Sequence, residues 1–229
     1  MSVSESKISE IRINGFHNRP IPNRYFRLNK ESETISIVFP GLYYSCDMPL
    51  LYYTTRLLLN HNVDVLQLWL NYTDPSFQAL GSSERSNWLE EDALAGYQQG
   101  IRQREYKQSL LVGKSLGTLS LASLLDKNTA LKIIAIIWLT PLLHTLEVSK
   151  KLQSLQIPAL YIGGDRDPTF EASYLKPIKE NPKGKILIIE GANHSLEIPG
   201  NVPLSLQIME TVTRQISDFL NHPSLDLAQ

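Results

Sequence analysis

From Ile35 onward the chain alternates short, nearly continuous apolar runs with longer stretches patterned for helix. The runs are Ile35 to Phe39, Val63 to Leu70, Leu110 to Gly113, Leu131 to Leu139, Ile157 to Ile162 and Lys185 to Glu190. Strands without a regular polar face suit a parallel sheet covered on both sides. Helical stretches fall between them, including Pro49 to Asn60, Glu84 to Lys107 and Leu116 to Leu125. This alternation predicts an α/β class, doubly wound fold with helices on both faces. Ahead of Ile35, two short apolar–polar alternations, Ile11-Arg12-Ile13 and Tyr25-Phe26-Arg27-Leu28, flank a turn-rich segment and read as one or two antiparallel strands. Near the end, Leu206, Met209, Val212, Ile216 and Phe219 recur at helical spacing, with Glu210, Arg214 and Asp218 turned outward. That stripe reads as core, and the tail Asn221 to Gln229, with Pro223, reads as frayed.

The most specific chemistry lies where the run Leu110-Leu111-Val112 gives way to the helical stretch at Leu116. The junction reads Gly113-Lys114-Ser115-Leu116-Gly117, a G-x-S-x-G pattern in strand, turn and helix context. Glycines two residues either side of the serine let strand and helix cross closely while a strained turn lifts Ser115 Oγ out of the sheet. Ser115 is therefore a candidate nucleophile toward a carbonyl. Five residues with three fixed types also occur in ordinary strand-to-helix turns, so the later residues carry the case further.

An activated serine needs a histidine to take its proton and a carboxylate to hold that histidine in the right tautomer. After the run ending at Ile162 comes Gly163-Gly164-Asp165-Arg166-Asp167-Pro168, and after the run ending at Glu190 comes Gly191-Ala192-Asn193-His194-Ser195. On these motifs the chain resembles the α/β-hydrolase superfamily, whose acid sits in a G-x-x-D-P loop after its seventh strand and whose histidine sits in a G-x-x-H loop after its eighth. The resemblance runs from about Ile35 to Leu220. It implies Ser115 as nucleophile, Asp167 as orienting acid and His194 as general base. Asp165 competes for the acid role, since a two-residue shift in the loop presents it instead. The spacing from Gly164 and the following Pro168 favour Asp167, which leaves Asp165 to accept backbone N–H bonds, as aspartates beside Gly and Pro often do.

The resemblance also implies an oxyanion hole, because charge gathering on the carbonyl oxygen must meet preorganised donors. One donor is the backbone N–H of Leu116, directly after the nucleophile. The other comes from Pro40-Gly41-Leu42-Tyr43-Tyr44, with Leu42 the candidate and Tyr43 the alternative. Many relatives carry His-Gly where this chain has Pro40-Gly41, a departure that leaves a backbone donor in place. Lys114 falls at an x position of the motif, which usually points away from the site, and reads as structural.

Composition narrows the function. At 229 residues, 42% hydrophobic and 20% charged, the chain suits one soluble α/β domain over residues 1–229. A net charge of −1 with no basic block argues against nucleic acid or an anionic membrane as partner. No run approaches the roughly 18 apolar residues of a membrane span, and the opening Met1-Ser2-Val3-Ser4-Glu5-Ser6-Lys7 lacks the apolar core of a secretory signal. The single cysteine, Cys46, fits a reducing compartment, so a cytoplasmic location is expected; it reads as a small semi-buried residue rather than a second nucleophile. The histidines, His17, His61, His144, His194 and His222, are scattered without ligand spacing, and no glycine run forms a phosphate cradle. No metal or nucleotide cofactor is indicated.

Many members of the superfamily insert a lid between the sixth strand and the acid. Here only Thr140 to Gln156 separates two strands, room for one helix, so no large cap domain and an open site are expected. The longer segment Asn71 to Gln108 has an early part, Tyr72 to Ser83, that either arches over the site or forms a solvated loop. Open α/β sheets bind ligands at the C-terminal strand ends, which makes Tyr43, Tyr44, Thr140, Pro141, Leu142 and Phe170 candidate substrate-binding residues. The expected activity is hydrolysis of a small carboxylic ester. The alternative is a binding protein or complex subunit that keeps the fold without turnover.

Overall fold

In a computed structural model of the chain, the structure describes residues 6–125, 127, 130, 132–170, 172–175, 178, 183–222, 225 and 227. Among these, eight strands form one sheet: β1 (Ser6–Ser9), β2 (Asn23–Leu28), β3 (Thr34–Phe39), β4 (Asp64–Leu68), β5 (Gln108–Lys114), β6 (Lys132–Leu139), β7 (Ala159–Gly164) and β8 (Gly184–Ile189). Their spatial order is β1-β2-β4-β3-β5-β6-β7-β8. β2 runs antiparallel to β1 and to β4, and every pairing from β4 across to β8 is parallel. Because those strands point one way, the loops after β3, β5, β6, β7 and β8 gather at a single edge of the sheet.

The apolar runs give strands buried on both faces, and the two sets of side chains feed two cores. On one face Val38, Val65, Val112 and Ile137 meet Leu50, Leu51, Leu58 and Leu59 of α1 (Pro49–Asn60). Val212, Ile216 and Phe219 of the last helix close the same core. On the other face Ile37, Leu66, Leu111 and Ile136 meet α3 (Ser82–Ile101), α4 (Gly117–Leu124) and α5 (Leu146–Ser154), with a short α2 (Pro75–Gln78) preceding α3. The last helix is α6 (Val202–Leu220). Each fully buried aliphatic side chain contributes roughly 1.5–3 kcal/mol.

Three local readings differ from the sequence pattern. Ile11 to Ile13 is not a strand; the ladder partner of β2 is Ser6–Ser9, and the Asn23 side chain supplies the missing pairing by donating to Ile11 O at 2.7 Å and accepting from Ile11 N at 3.0 Å. Helix α3 stops at Ile101 rather than Lys107, because Tyr106 is drawn inward to donate to buried Asp64 Oδ2 at 2.7 Å. In α6 the buried stripe begins at Ile208, while Leu206, two positions earlier and so about 200° round the helix, is 66% exposed. Leu131 and most of the tail lie outside the described residues.

Candidate active site

Ser115 sits between β5 and α4 with φ of 52°, in the left-handed region. Its N–H donates to Leu139 O at 3.0 Å, which fastens the turn to β6. The turn is possible because Gly117 has no side chain: a Cβ there would lie 2.2 Å from Phe39 O and 2.6 Å from Pro40 O. The start of α4 thus rests against the end of β3, and the loop after β3 is brought beside the serine.

The structure brings Ser115, His194 and Asp167 together. Ser115 Oγ lies 2.7 Å from His194 Nε2, and His194 Nδ1 lies 2.6 Å from Asp167 Oδ2. Asp167 is 5% exposed, and its other oxygen, Oδ1, accepts from Thr169 N and Thr169 Oγ1, each at 2.8 Å. Burial pushes the Asp167 carboxyl upward, but hydrogen bonds from His194 and Thr169, with the field of the imidazole, hold it below its ordinary value. An ionised carboxylate only accepts, so Nδ1 carries the ring proton and the Nε2 lone pair faces the serine hydroxyl. Thr169 was not singled out from the sequence, although Asp-Pro-Thr is the pattern of an aspartate that caps the N–H two residues on.

Asp165 has a different task. It is exposed, and its Oδ1 accepts from Gly191 N at 2.6 Å, which ties the acid loop to the histidine loop. Gly164 makes that approach possible, since a Cβ on it would lie 2.1 Å from Ala192 O. The histidine loop is held further by Asn193 Oδ1, which accepts from Ser195 N at 2.8 Å and Glu197 N at 3.1 Å.

The loop after β3 closes on itself through Gly41 N donating to Tyr44 O at 3.1 Å, and a Cβ on Gly41 would be 3.3 Å from Ser115 Cβ. Among the described residues the N–H groups of Leu42, Tyr43 and Leu116 have no acceptor within the protein. Leu42 and Leu116 pack their half-buried side chains on one small cluster of Phe16, Tyr72, Phe77, Trp88 and Leu89. Within Tyr72 to Ser83, Tyr72 and Phe77 are buried in this cluster, beside the turn that holds Ser115, while Thr73, Pro75, Ser76, Gln78, Ala79 and Gly81 to Ser83 are exposed. Asp92 anchors it by accepting from Phe16 N at 2.9 Å, Trp88 Nε1 at 3.0 Å and Tyr72 OH at 3.1 Å.

The residues suggested as pocket walls separate. Tyr43 is 82% exposed, and Phe170 is half-buried against the second core. Tyr44 is buried, its hydroxyl accepting from Leu50 N at 3.0 Å at the start of α1, so its ring supports the loop from below instead of facing a ligand. Thr140 and Pro141 are also buried, and Thr140 has φ of 41°. Leu142 is half-buried, its N–H on Thr118 Oγ1 at 3.3 Å. Lys114 does not simply point away: it is 1% exposed and its Nζ reaches both Thr140 and the backbone of His194. Cys46 is buried, and burial pushes its thiol well above the ordinary range. A cavity of about 400 Å³ lies at the opposite, N-terminal ends of the strands, lined by Gln108, Ile133, Pro158, Lys185 and Phe219 among others. Among the described residues, no group of three or more His, Cys, Asp or Glu is arranged to hold a metal ion, and no helix is long and apolar enough to cross a membrane.

No family model matches the chain, and no curated protein sequence matches it. Solved structures do. The esterase Pf2001 of Pyrococcus furiosus is similar over 94% of this chain and 92% of its own, with a TM-score of 0.71 and 15% identity. XC6422 of Xanthomonas campestris, described as an α/β serine hydrolase without lid, is similar over 97% of this chain and 99% of its own, with a TM-score of 0.67 and 16% identity. Est1E of Butyrivibrio proteoclasticus is similar over 92% and 97%, with a TM-score of 0.65 and 15% identity. The chain has the α/β-hydrolase fold.

Proposed function

We propose that the chain is a serine hydrolase that cleaves a small carboxylic ester through an acyl-enzyme. The observation that carries this reading is the continuous hydrogen-bonded line from Ser115 Oγ through His194 to Asp167, at 2.7 and 2.6 Å. Ser115 Oγ attacks the ester carbonyl while His194 Nε2 takes its proton. Asp167, held by Thr169, keeps the imidazole in the productive tautomer and steadies its cation. The Leu116 and Leu42 N–H groups receive the oxyanion, an assignment favoured by their free donors and by the packing of both side chains on one cluster. His194 then gives its proton to the leaving alcohol, and a water activated by the same nitrogen hydrolyses the acyl-serine. Likeness in fold to a protein described as an esterase and to one described as a lidless serine hydrolase motivates the choice of an ester as substrate.

A fluorophosphonate probe tests the reading, because only an activated serine reacts with it. The expected result is labelling at Ser115 and turnover of short-chain aryl esters. Ser115→Ala is expected to abolish labelling and to lower kcat by on the order of 10⁴ to 10⁶ while the protein stays folded. Unchanged turnover in pure Ser115→Ala protein sinks the assignment. A folded wild type that neither labels nor hydrolyses any ester leaves the non-catalytic binding reading in its place.

A further inference from the structure

Directly before the nucleophile stands a buried lysine with an unusual set of partners. Lys114 is 1% exposed, with Nζ 2.8 Å from Thr140 Oγ1, 2.8 Å from the backbone oxygen of His194 and 4.8 Å from the centroid of the Tyr44 ring. Its stem passes beneath the loop after β3, where a Cβ on Gly41 would be 3.2 Å from Lys114 Cδ. One side chain therefore touches the loops after β3, β6 and β8 while belonging to the last residue of β5.

Packing alone does not account for an amine at this place. Methionine would fill much of the same volume without the cost of removing an ammonium group from water. An ammonium has three N–H donors and no acceptor, and here three directions are occupied: a hydroxyl oxygen, a carbonyl oxygen and the face of an aromatic ring, which attracts a cation. The carbonyl it holds belongs to the residue whose ring must meet Ser115 Oγ. From Ser115, the path through the Lys114 backbone and side chain to His194 O is covalent except for one hydrogen bond.

We propose that Lys114 is a positioning residue: by pinning the His194 carbonyl and the Thr140 hydroxyl from the residue next to Ser115, it sets the approach of the imidazole to the nucleophile. This rests on the serine-hydrolase reading. Burial draws the lysine down to about 7, with nearby Asp167 partly opposing the shift, so the ammonium and the neutral amine both occur near neutrality. The ionisable groups facing it are Asp167, His194 and the Tyr44 phenol, with Glu197 near that phenol. The neutral amine still donates to both oxygens but loses its charge and the contact with the Tyr44 face. The hold of Lys114 is therefore strongest below pH 7 and weakens above it.

The test compares wild type, Lys114→Met and Thr140→Val from pH 6 to 9 on a short aryl ester, with the downfield imidazole Nδ1–H resonance of His194 recorded by NMR. For Lys114→Met, kcat is expected to fall on the order of 10²-fold, the loss that about 1 Å of misplacement brings, with KM within about threefold. The ratio of wild-type to variant kcat is expected to shrink as pH rises, and the His194 resonance to broaden or vanish. A ratio near one at every pH, or a large ratio that does not change with pH, overturns the proposal, because packing alone moves neither the split nor the profile. Should Lys114→Met fail to fold, Thr140→Val removes one of the same contacts at nearly constant shape; a roughly fivefold or greater loss in kcat at unchanged KM supports the proposal, and an unchanged kcat overturns it. If the wild type hydrolyses no ester, the NMR arm alone decides: loss of the His194 resonance in the variants upholds the positioning role while the hydrolase reading falls, and its persistence overturns the role too.

Discussion

Replacing Asp167 by asparagine isolates the part of the site that depends on one proton. Asp167 Oδ1 accepts two hydrogen bonds from Thr169, each at 2.8 Å, and the amide nitrogen of asparagine has no capacity to accept them. The amide of the Asp167→Asn protein is thus fixed with its oxygen on Thr169 and its NH₂ toward His194 Nδ1. A donor there forces Nδ1 to give up its proton, so Nε2 carries the proton and presents N–H, not a lone pair, to Ser115 Oγ. Loss of the base tautomer costs on the order of 10⁴ in kcat in Ser-His-Asp sites, or about 5 kcal/mol of transition-state stabilisation. Asp165→Asn makes the contrast, since asparagine Oδ1 still accepts from Gly191 N; kcat is expected within about threefold of wild type and stability within about 1 kcal/mol. The assay is kcat and KM for all three proteins on one soluble aryl ester, with thermal unfolding as control. The sign with pH follows from the depressed carboxyl of Asp167: its contribution to stability is present above the ordinary carboxylate pKa and is lost as pH falls through the lower, folded-state value. The gap in stability between wild type and Asp167→Asn is therefore widest near neutrality and closes in acid. An Asp167→Asn protein that keeps more than a tenth of the wild-type rate, or an Asp165→Asn protein that loses as much as Asp167→Asn, refutes the reasoning.

Gly117→Ala is expected to push the start of α4 off the end of β3, because its Cβ meets backbone oxygens at 2.2 and 2.6 Å; a cost of roughly 1–3 kcal/mol, or about 2–12 °C in melting temperature, accompanies a loss on the order of 10² in kcat. Gly81→Ala, whose Cβ meets nothing closer than Glu84 Oε2 at 3.7 Å, is the control and stays within about 1 kcal/mol. The segment between β6 and β7 holds only the short helix α5, so rate is expected to rise smoothly with ester concentration and to favour short acyl chains, each further CH₂ contributing its roughly 0.8 kcal/mol only where a wall covers it. A jump in rate when the ester passes its solubility limit, or a preference for long chains, shows that a covering segment exists.

Much of this architecture can be read without coordinates, and the parts that cannot share a cause. The parallel strands are legible because burial on both faces leaves unbroken apolar runs, and the loops bearing Ser115, Asp167 and His194 follow three of those runs directly. Ile11 to Ile13 mimics a strand, but the backbone of Ile11 is satisfied by a side chain, Asn23, twelve residues away, which no local pattern encodes. Tyr44 and Thr140 look like pocket walls by position, yet each is turned inward by a hydrogen-bond partner outside its own turn, Leu50 N six residues on and Lys114 Nζ 26 residues back. Lys114 is the sharpest case. The motif locates its Cα, while its task depends on a carbonyl 80 residues on.

The place of β8 in the sheet bears on when the chain becomes reactive during its own synthesis. The backbone atoms that lie against the turn around Ser115 include Phe39 O and Pro40 O beneath Gly117 and Leu139 O on the serine N–H, all from residues before Thr140. Domains generally fold as units, so this turn becomes stable only with the rest of the sheet, and on the serine-hydrolase reading the chain gains its reactivity only then. His194 follows 79 residues later, on the loop after a strand that, among the described residues, is outermost and pairs with β7 alone. Until that last strand docks, Ser115 has no imidazole beside it and is an ordinary, unreactive alcohol.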